Sequence, residues 1–211
     1  MPKELILIGA GGHAQACIDV IEAAGRFQII GLTDQALEPG TQLLGYPVLG
    51  PDEALMEYTQ GDRAALVALG HLGKPDLRIK LFVMAHAMGF DLPVIQAPSA
   101  QVSKHAQLGL GSIVMHQATV QAQAVVGENC ILNDHCLVEH GAVVGAHCHI
   151  STGALVNGEA RVAEGVFVGS GAILREGIQL SPGVVVGAGA VVTKDLHEPG
   201  VYVGNPARKL S

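Results

Sequence analysis

Residues 125–150 read VVGENCILNDHCLVEHGAVVGAHCHI, and within them Val126, Leu132, Val138, Val144 and Ile150 recur at steps of six. The same step continues outward in both directions. From Val102, Leu108, Val114 and Val120 through to Val156, Val162, Val168, Leu174, Leu180, Val186 and Val192, sixteen successive positions hold only Val, Leu or Ile. Four residues after each of them the chain is mostly small, as at Ala106, Ser112, Ala118, Ala124, Cys130, Cys136, Ala142, Cys148, Ala154 and Ala160. A period of six is not the 3.6 of an α-helix, and the segment is rich in Gly and Val, which are poor helix formers. It fits three short strands bent into a triangle, with an aliphatic residue filling the interior and a small one where the chain turns each corner. Coils stacked at the ~4.8 Å spacing of paired strands then give a parallel β-helix of about five coils, roughly 25 Å tall.

The composition agrees with thin, repeated layers. Hydrophobic residues make up 49% of the chain but aromatic ones only 3%, with no Trp and 28 Gly, so the core is built from Val, Leu, Ile and Ala. A net charge of -7 without a basic stripe excludes a nucleic-acid surface, which needs clustered Lys and Arg. No apolar run reaches the ~18 residues of a membrane span, and the opening Met-Pro-Lys-Glu-Leu-Ile-Leu-Ile meets glycines too early for a signal peptide. A cytoplasmic protein with no membrane partner is expected. Of the four cysteines, Cys130, Cys136 and Cys148 fall in the small column and Cys17 lies apart. No CxxC pair occurs, so these read as buried thiols rather than zinc ligands or a disulfide framework.

Before the repeat the pattern changes. Leu5–Ile8 reads as a buried strand, Gly9-Ala10-Gly11-Gly12-His13 as a turn, residues 14–24 as a helix, and Phe27–Leu32 as a second strand closing on Asp34. This is the opening of a Rossmann-like, doubly wound α/β fold, in which a Gly turn lets phosphate approach a helix N-terminus. The spacing of Gly9, Gly11 and Gly12 departs from GxGxxG, and a mononucleotide sugar suits the short unit better than a dinucleotide. A short helix over 52–58, a strand over 64–69 ending in Gly70-His71, a helix over 75–88 and a strand over 92–95 continue the alternation of a parallel sheet. The chain thus divides into an α/β nucleotide-sugar-binding domain (1–98), the β-helix (99–195) and a C-terminal tail (196–211).

An α/β domain opening Ile8-Gly-Ala-Gly-Gly-His13, then an uninterrupted hexapeptide prism, then Val201-Tyr-Val-Gly-Asn-Pro-Ala-Arg208 resembles, over essentially the whole chain, the bacterial nucleotide-sugar acetyltransferases. That family includes the bacillosamine-type and perosamine N-acetyltransferases and the sialic acid O-acetyltransferases. The resemblance implies a left-handed parallel β-helix, a homotrimer, acetyl-CoA in the groove between neighbouring prisms, and a nucleotide-linked amino sugar held by the N-terminal domain. It implies acetyl transfer to the sugar's 4-amino group, with His140 as general base, because only the unprotonated amine attacks a thioester and a neutral imidazole suits that task. The amide of Gly158, one coil above, is the implied oxyanion donor.

His149 matches a histidine near the acetyl group and coenzyme, and His13 one that faces the sugar. The turn at Gly9, Gly11 and Gly12 would meet the phosphates, Asp34 the base or ribose, and Asn133 the sugar amine. Gly169, Gly187 and Arg208 or Lys209 would line the coenzyme side, while His105, His116, His147 and His197 read as surface residues. Relatives commonly place an acid directly after the catalytic histidine, where this chain has Gly141; Glu139, Asp134 or a neighbouring subunit is left to orient the ring. Two other readings are sialic acid O-acetylation and a zinc-dependent prism trimer that uses His135, His140, His147 and His149, although no metal is expected. A third treats the prism as a non-catalytic trimerising scaffold.

Overall fold

The computed structural model describes residues 2–210; Met1 and Ser211, the outermost residues of the first domain and of the tail, lie outside them. Strand β1 (Lys3–Ile8) leads through the Gly turn into helix α1 (Gly12–Ala24) and strand β2 (Phe27–Thr33). Strands β3 (Gln42–Leu43) and β4 (Tyr46–Gly50), a 3-10 turn over Asp52–Tyr58, strand β5 (Ala64–Val67) and helix α2 (Asp76–Ala87) follow. The sheet order is β3-β4-β2-β1-β5, parallel except for the β3–β4 hairpin. Leu5, Ile6, Leu7 and Ile8 are all fully buried, as a continuous apolar run must be in a strand covered on both faces. Helix α1 stops at Gly25, whose left-handed backbone returns its N–H to the Ile21 carbonyl, a turn glycine makes without steric cost.

The prism has three walls, of six, five and eight strands. Coils pair in strict register, Val120 on Val138, Val138 on Val156 and Val156 on Leu174, each aliphatic residue stacking on its like in the next coil. Cys130, Cys136 and Cys148 are buried free thiols of the interior. The corners need a left-handed residue. Glycine supplies it at Gly111, Gly141 and Gly153, and Asn129, His135, His147 and Glu159 adopt it themselves.

Two sequence expectations are corrected, and one element has no counterpart among them. The strand expected over 92–95 is a short strand at Ile95–Gln96, and it pairs with Ile113–Val114 in the prism rather than with the N-terminal sheet. The stack therefore starts before residue 99, while Phe90 and Leu92 pack with β5 and α2. The β3–β4 hairpin was not foreseen, because its Leu44-Gly45 turn, with both residues at positive φ, lacks the Asn-Gly or Asp-Gly signature. Residues 200–203 form a strand parallel to Val184–Val186, so much of the tail extends the eight-stranded wall. Among the described residues no helix is long and apolar enough to cross a membrane.

Candidate active site

Strand Leu137–Val138 ends at a prism corner formed by Glu139, His140 and Gly141. The Glu139 carboxylate accepts hydrogen bonds from His140 Nδ1, at 3.0 Å, and from the His140 main-chain N–H, at 3.1 Å. This pair of bonds, the ring's first, holds the Glu139 carboxyl below the usual carboxylate range. An ionised Glu139 can only accept, so Nδ1 is the donor, and in the neutral ring Nε2 is then the lone pair. Asp134 is not the orienting group, for its carboxylate accepts the His116 main-chain N–H instead.

One coil above stands Gly158. A methyl group there would lie 2.7 Å from His140 Cε1 and 2.9 Å from Nε2, so the ring occupies space that only glycine leaves. The residues on either side of Gly158 donate their N–H groups to carbonyls at 3.1 to 3.3 Å, Glu159 to His140 and Asn157 to Leu174, whereas Gly158 N–H has no protein acceptor among the described residues. His140, Gly158, Glu159, Glu176 and Gly177 line an open cavity of 350 Å³. The arrangement offers an unpaired imidazole nitrogen and an unpaired amide donor side by side.

The second constellation lies between the two domains. His13 opens α1, and its ring centroid is 6.3 Å from that of His149 on the prism wall. His71, at the loop after β5, packs edge-on to His149 and to Phe167. Burial pushes His13 down to about 3 and both His71 and His149 to about 4, so all three rings are neutral near pH 7.

At the Gly turn, Gly9 has φ 106° and a methyl group on it would meet Leu69 Cδ1 at 2.8 Å. Nothing stands within 4 Å of the corresponding positions at Gly11 and Gly12, which leaves the N-terminus of α1 open to an anion. Asp34 holds this turn through Ala10 N–H at 3.0 Å, while its other oxygen accepts Ala36 N–H at 2.9 Å in the loop after β2. A cavity of 220 Å³ bounded by Gly9, Asp34, Gln35, Asp52, Leu69 and Leu77 adjoins it.

Asn133, Gly169 and Gly187 follow paired strands of one wall and therefore stand in one column. Asn133 Oδ1 accepts the Asp134 N–H. The two glycines are also packing positions, since methyl groups there would meet Ala188 N at 2.6 Å and Val203 Cγ1 at 2.7 Å. Arg208 is exposed and lines a separate cavity of 330 Å³ with Lys194, His197 and Lys209.

The structure thus brings His140 to Gly158, and His13 to both the Gly turn and His149, but it does not place Arg208 beside either group. His147, expected at the surface, is buried; its ring lies edge-on against Phe82 of α2, 5.7 Å between centroids, and Asn129 Nδ2 donates to its Nδ1. His105 and His197 are exposed, and His116 bonds Asp19 at 2.8 Å. Among the described residues no three His, Cys, Asp or Glu side chains converge on a point that could hold a metal. His71 is not among the expected site residues, although Gly70-His71 follows β5 much as Gly12-His13 follows β1, and residues past the carboxyl ends of parallel strands line the crevice.

Comparison with known proteins adds independent evidence. Residues 4–84 match the family model described as PglD N-terminal domain. The acetyltransferase domain of PglB from Neisseria gonorrhoeae, solved in complex with acetyl coenzyme A, is 34% identical with a TM-score of 0.91, covering 100% of both chains. PerB from Caulobacter crescentus, solved with CoA and GDP-perosamine, is also 34% identical with a TM-score of 0.91, over 99% of this chain and 97% of that one. A variant of the Caulobacter perosamine N-acetyltransferase with one histidine replaced by asparagine, in complex with the same two ligands, matches at 32% identity and a TM-score of 0.74, over 99% of this chain and 97% of that one. No curated protein matches the chain.

Proposed function

The chain belongs to the family of the PglB acetyltransferase domain and perosamine N-acetyltransferase, with their Rossmann-like domain and left-handed parallel β-helix, and on that premise we propose that it is a sugar N-acetyltransferase. It moves the acetyl group of acetyl-CoA to the 4-amino group of a nucleotide-linked amino-deoxy sugar. The observation that carries the chemistry is the Glu139–His140 pair beneath Gly158.

The amine nitrogen attacks the thioester carbonyl as His140 Nε2 takes its proton, while Glu139 holds the other ring nitrogen and favours the imidazolium that forms. The Gly158 N–H stabilises the oxyanion. Collapse of the tetrahedral adduct breaks the C–S bond, and the departing thiolate takes the proton back from His140. In this reading the nucleotide diphosphate sits on the Gly11–Gly12 turn, the nucleoside in the cavity beside Asp34, and the sugar near His13 and Asn133. His149, Gly169, Gly187 and Arg208 serve the coenzyme.

His140 and His149 belong to different walls of the prism, so a site that uses both is completed by a neighbouring copy. The reading therefore includes a homotrimer, and, since acetyl-CoA is the donor, a cytoplasmic location. A thiol-release assay with acetyl-CoA and a panel of UDP-, dTDP- and GDP-linked 4-amino-4,6-dideoxy sugars tests class, donor and acceptor together. Turnover with one of the amino sugars is expected; turnover on sialic acid alone would move the acceptor from nitrogen to oxygen.

A further inference from the structure

Arg78, in the first turn of α2, is 1% exposed. A buried guanidinium is costly to desolvate, and such groups usually pair with a carboxylate. Here the partners are all main-chain carbonyls: Nη1 donates to Val67 O at 2.6 Å and Leu69 O at 2.8 Å, and Nε donates to Asn129 O at 3.1 Å. The first two acceptors lie where β5 runs into the loop carrying His71, and the third lies on a prism corner. Arg78 therefore ties that loop and the prism to one point.

The loop is fixed a second time by the His71 ring. Its Nδ1 faces the Gly73 N–H at 3.3 Å and so accepts, which leaves Nε2 to donate to the His147 carbonyl at 3.0 Å. His147 is itself held by Asn129, whose carbonyl Arg78 binds. The result at the far end of the chain of bonds is specific. His149 Nδ1 lies 2.9 Å from the His71 carbonyl, which can only accept, so Nδ1 carries the proton. His149 Nε2 is then a bare lone pair. It is buried and meets no protein donor among the described residues, and Gly70, which faces both this ring and His13, adds no side chain there.

We infer that Arg78 is a positioning residue: by tying the end of β5 and the prism corner to one point it holds the His71 carbonyl in place, and so fixes which nitrogen of His149 faces the ligand that the proposed function assigns to that ring. The group that meets His149 Nε2 must bring its own hydrogen, as an amide N–H, a hydroxyl or an amine does. A thioester carbonyl cannot, so in this arrangement His149 does not polarise the acetyl group. The identity of the ligands rests on the acetyltransferase reading above; the proton position does not.

The first test needs no ligand. In protein labelled with ¹⁵N-histidine, long-range ¹H–¹⁵N spectra at pH 7 should show, besides that of His140, a ring with Nδ1 protonated and Nε2 bare that disappears in His149→Asn. A protonated Nε2 on that ring would overturn the assignment. Arg78→Lys, which keeps the charge but loses the forked donors, should turn that single tautomer into a mixture; a folded Arg78→Lys that retains it would remove Arg78 from the argument. His71→Ala, which takes away the ring anchor and spares the carbonyl, reads the same link where Arg78→Lys does not fold. Calorimetric titration with coenzyme A alone and with GDP-perosamine alone identifies the donor. His149→Asn retains an N–H for the His71 carbonyl and should weaken coenzyme A about tenfold, the worth of one hydrogen bond, with GDP-perosamine binding near wild type. Unchanged affinity for both would overturn the acceptor role. Failure to acetylate any amino sugar, with the tautomer as stated, would sink the enzymatic reading and leave this one standing.

Discussion

His140 and His149 are nine residues apart in the sequence and share a hydrogen-bonding pattern: each donates through Nδ1 and leaves Nε2 without a protein partner. Their surroundings are opposite. The His140 side chain is 69% exposed and held by a carboxylate, whereas His149 is 7% exposed and held by a backbone carbonyl. A carboxylate partner supports the imidazolium, so His140 can take a proton and give it back within a turnover. At His149 burial disfavours the charged ring and outweighs the opposite pull of the His71 carbonyl, so the ring stays neutral. The same side chain is therefore a proton carrier at the corner of the prism and a fixed acceptor beneath the α/β domain.

The sharpest way to break this contrast is His140→Ala. Acetyl transfer should lose ~10²-fold or more in kcat with little change in KM for acetyl-CoA; a near-normal rate would refute the assignment of the base. The same change at His149 should act on binding rather than on proton transfer.

Gly158→Ala comes next. The added methyl group would stand 2.7 Å from His140 Cε1, so the ring must swing away from the Gly158 amide while the coil remains paired. About a tenfold loss in kcat is expected, with the circular dichroism and melting temperature near wild type. A fully active Gly158→Ala would show that the ring and the amide do not act together.

Glu139→Gln is expected to cost less, several-fold in kcat. The amide can still accept from Nδ1 but no longer supports the positive ring, so restoring Glu139→Asp activity partway would identify charge as the relevant property. If Gly141→Asp rescues Glu139→Gln, an acid placed after the histidine does the same work from the other side of the corner.

How much of this could be read beforehand follows from what each feature depends on. The prism depends on a column, and a column is visible in one dimension: sixteen aliphatic residues at steps of six leave little choice of fold. The three interior cysteines follow from the same count, as does the placing of Gly158 over His140. The orienting carboxylate does not, because Glu139, Asp134 and a neighbouring copy differ only in side-chain direction, which no spacing encodes. The burial of His147 is hidden from the sequence for a similar reason. Its corner position would point outward on a free prism, but α2 covers that corner with Phe82. Arg78 was invisible, since an arginine near the start of a helix reads as solvated until the carbonyls around it are known.

The smallest and most diffuse expected effect is on stability against pH, and it separates the two histidine environments without any substrate. His71 and His149 have folded-state values near 4 because burial disfavours the charged ring, while an unfolded chain titrates them near 6.5. Below about pH 6.5 the unfolded state therefore binds more protons than the folded one. Stability is full above that value and declines as pH falls toward 4, by up to about 1.4 kcal/mol per pH unit for each ring fully shifted in that window. Tm should accordingly drop between pH 6.5 and 4, and His149→Asn, which has no ring to protonate, should flatten the slope. A slope that His149→Asn leaves unchanged would mean that the interdomain niche is wet, and the contrast between the two histidines would then fail.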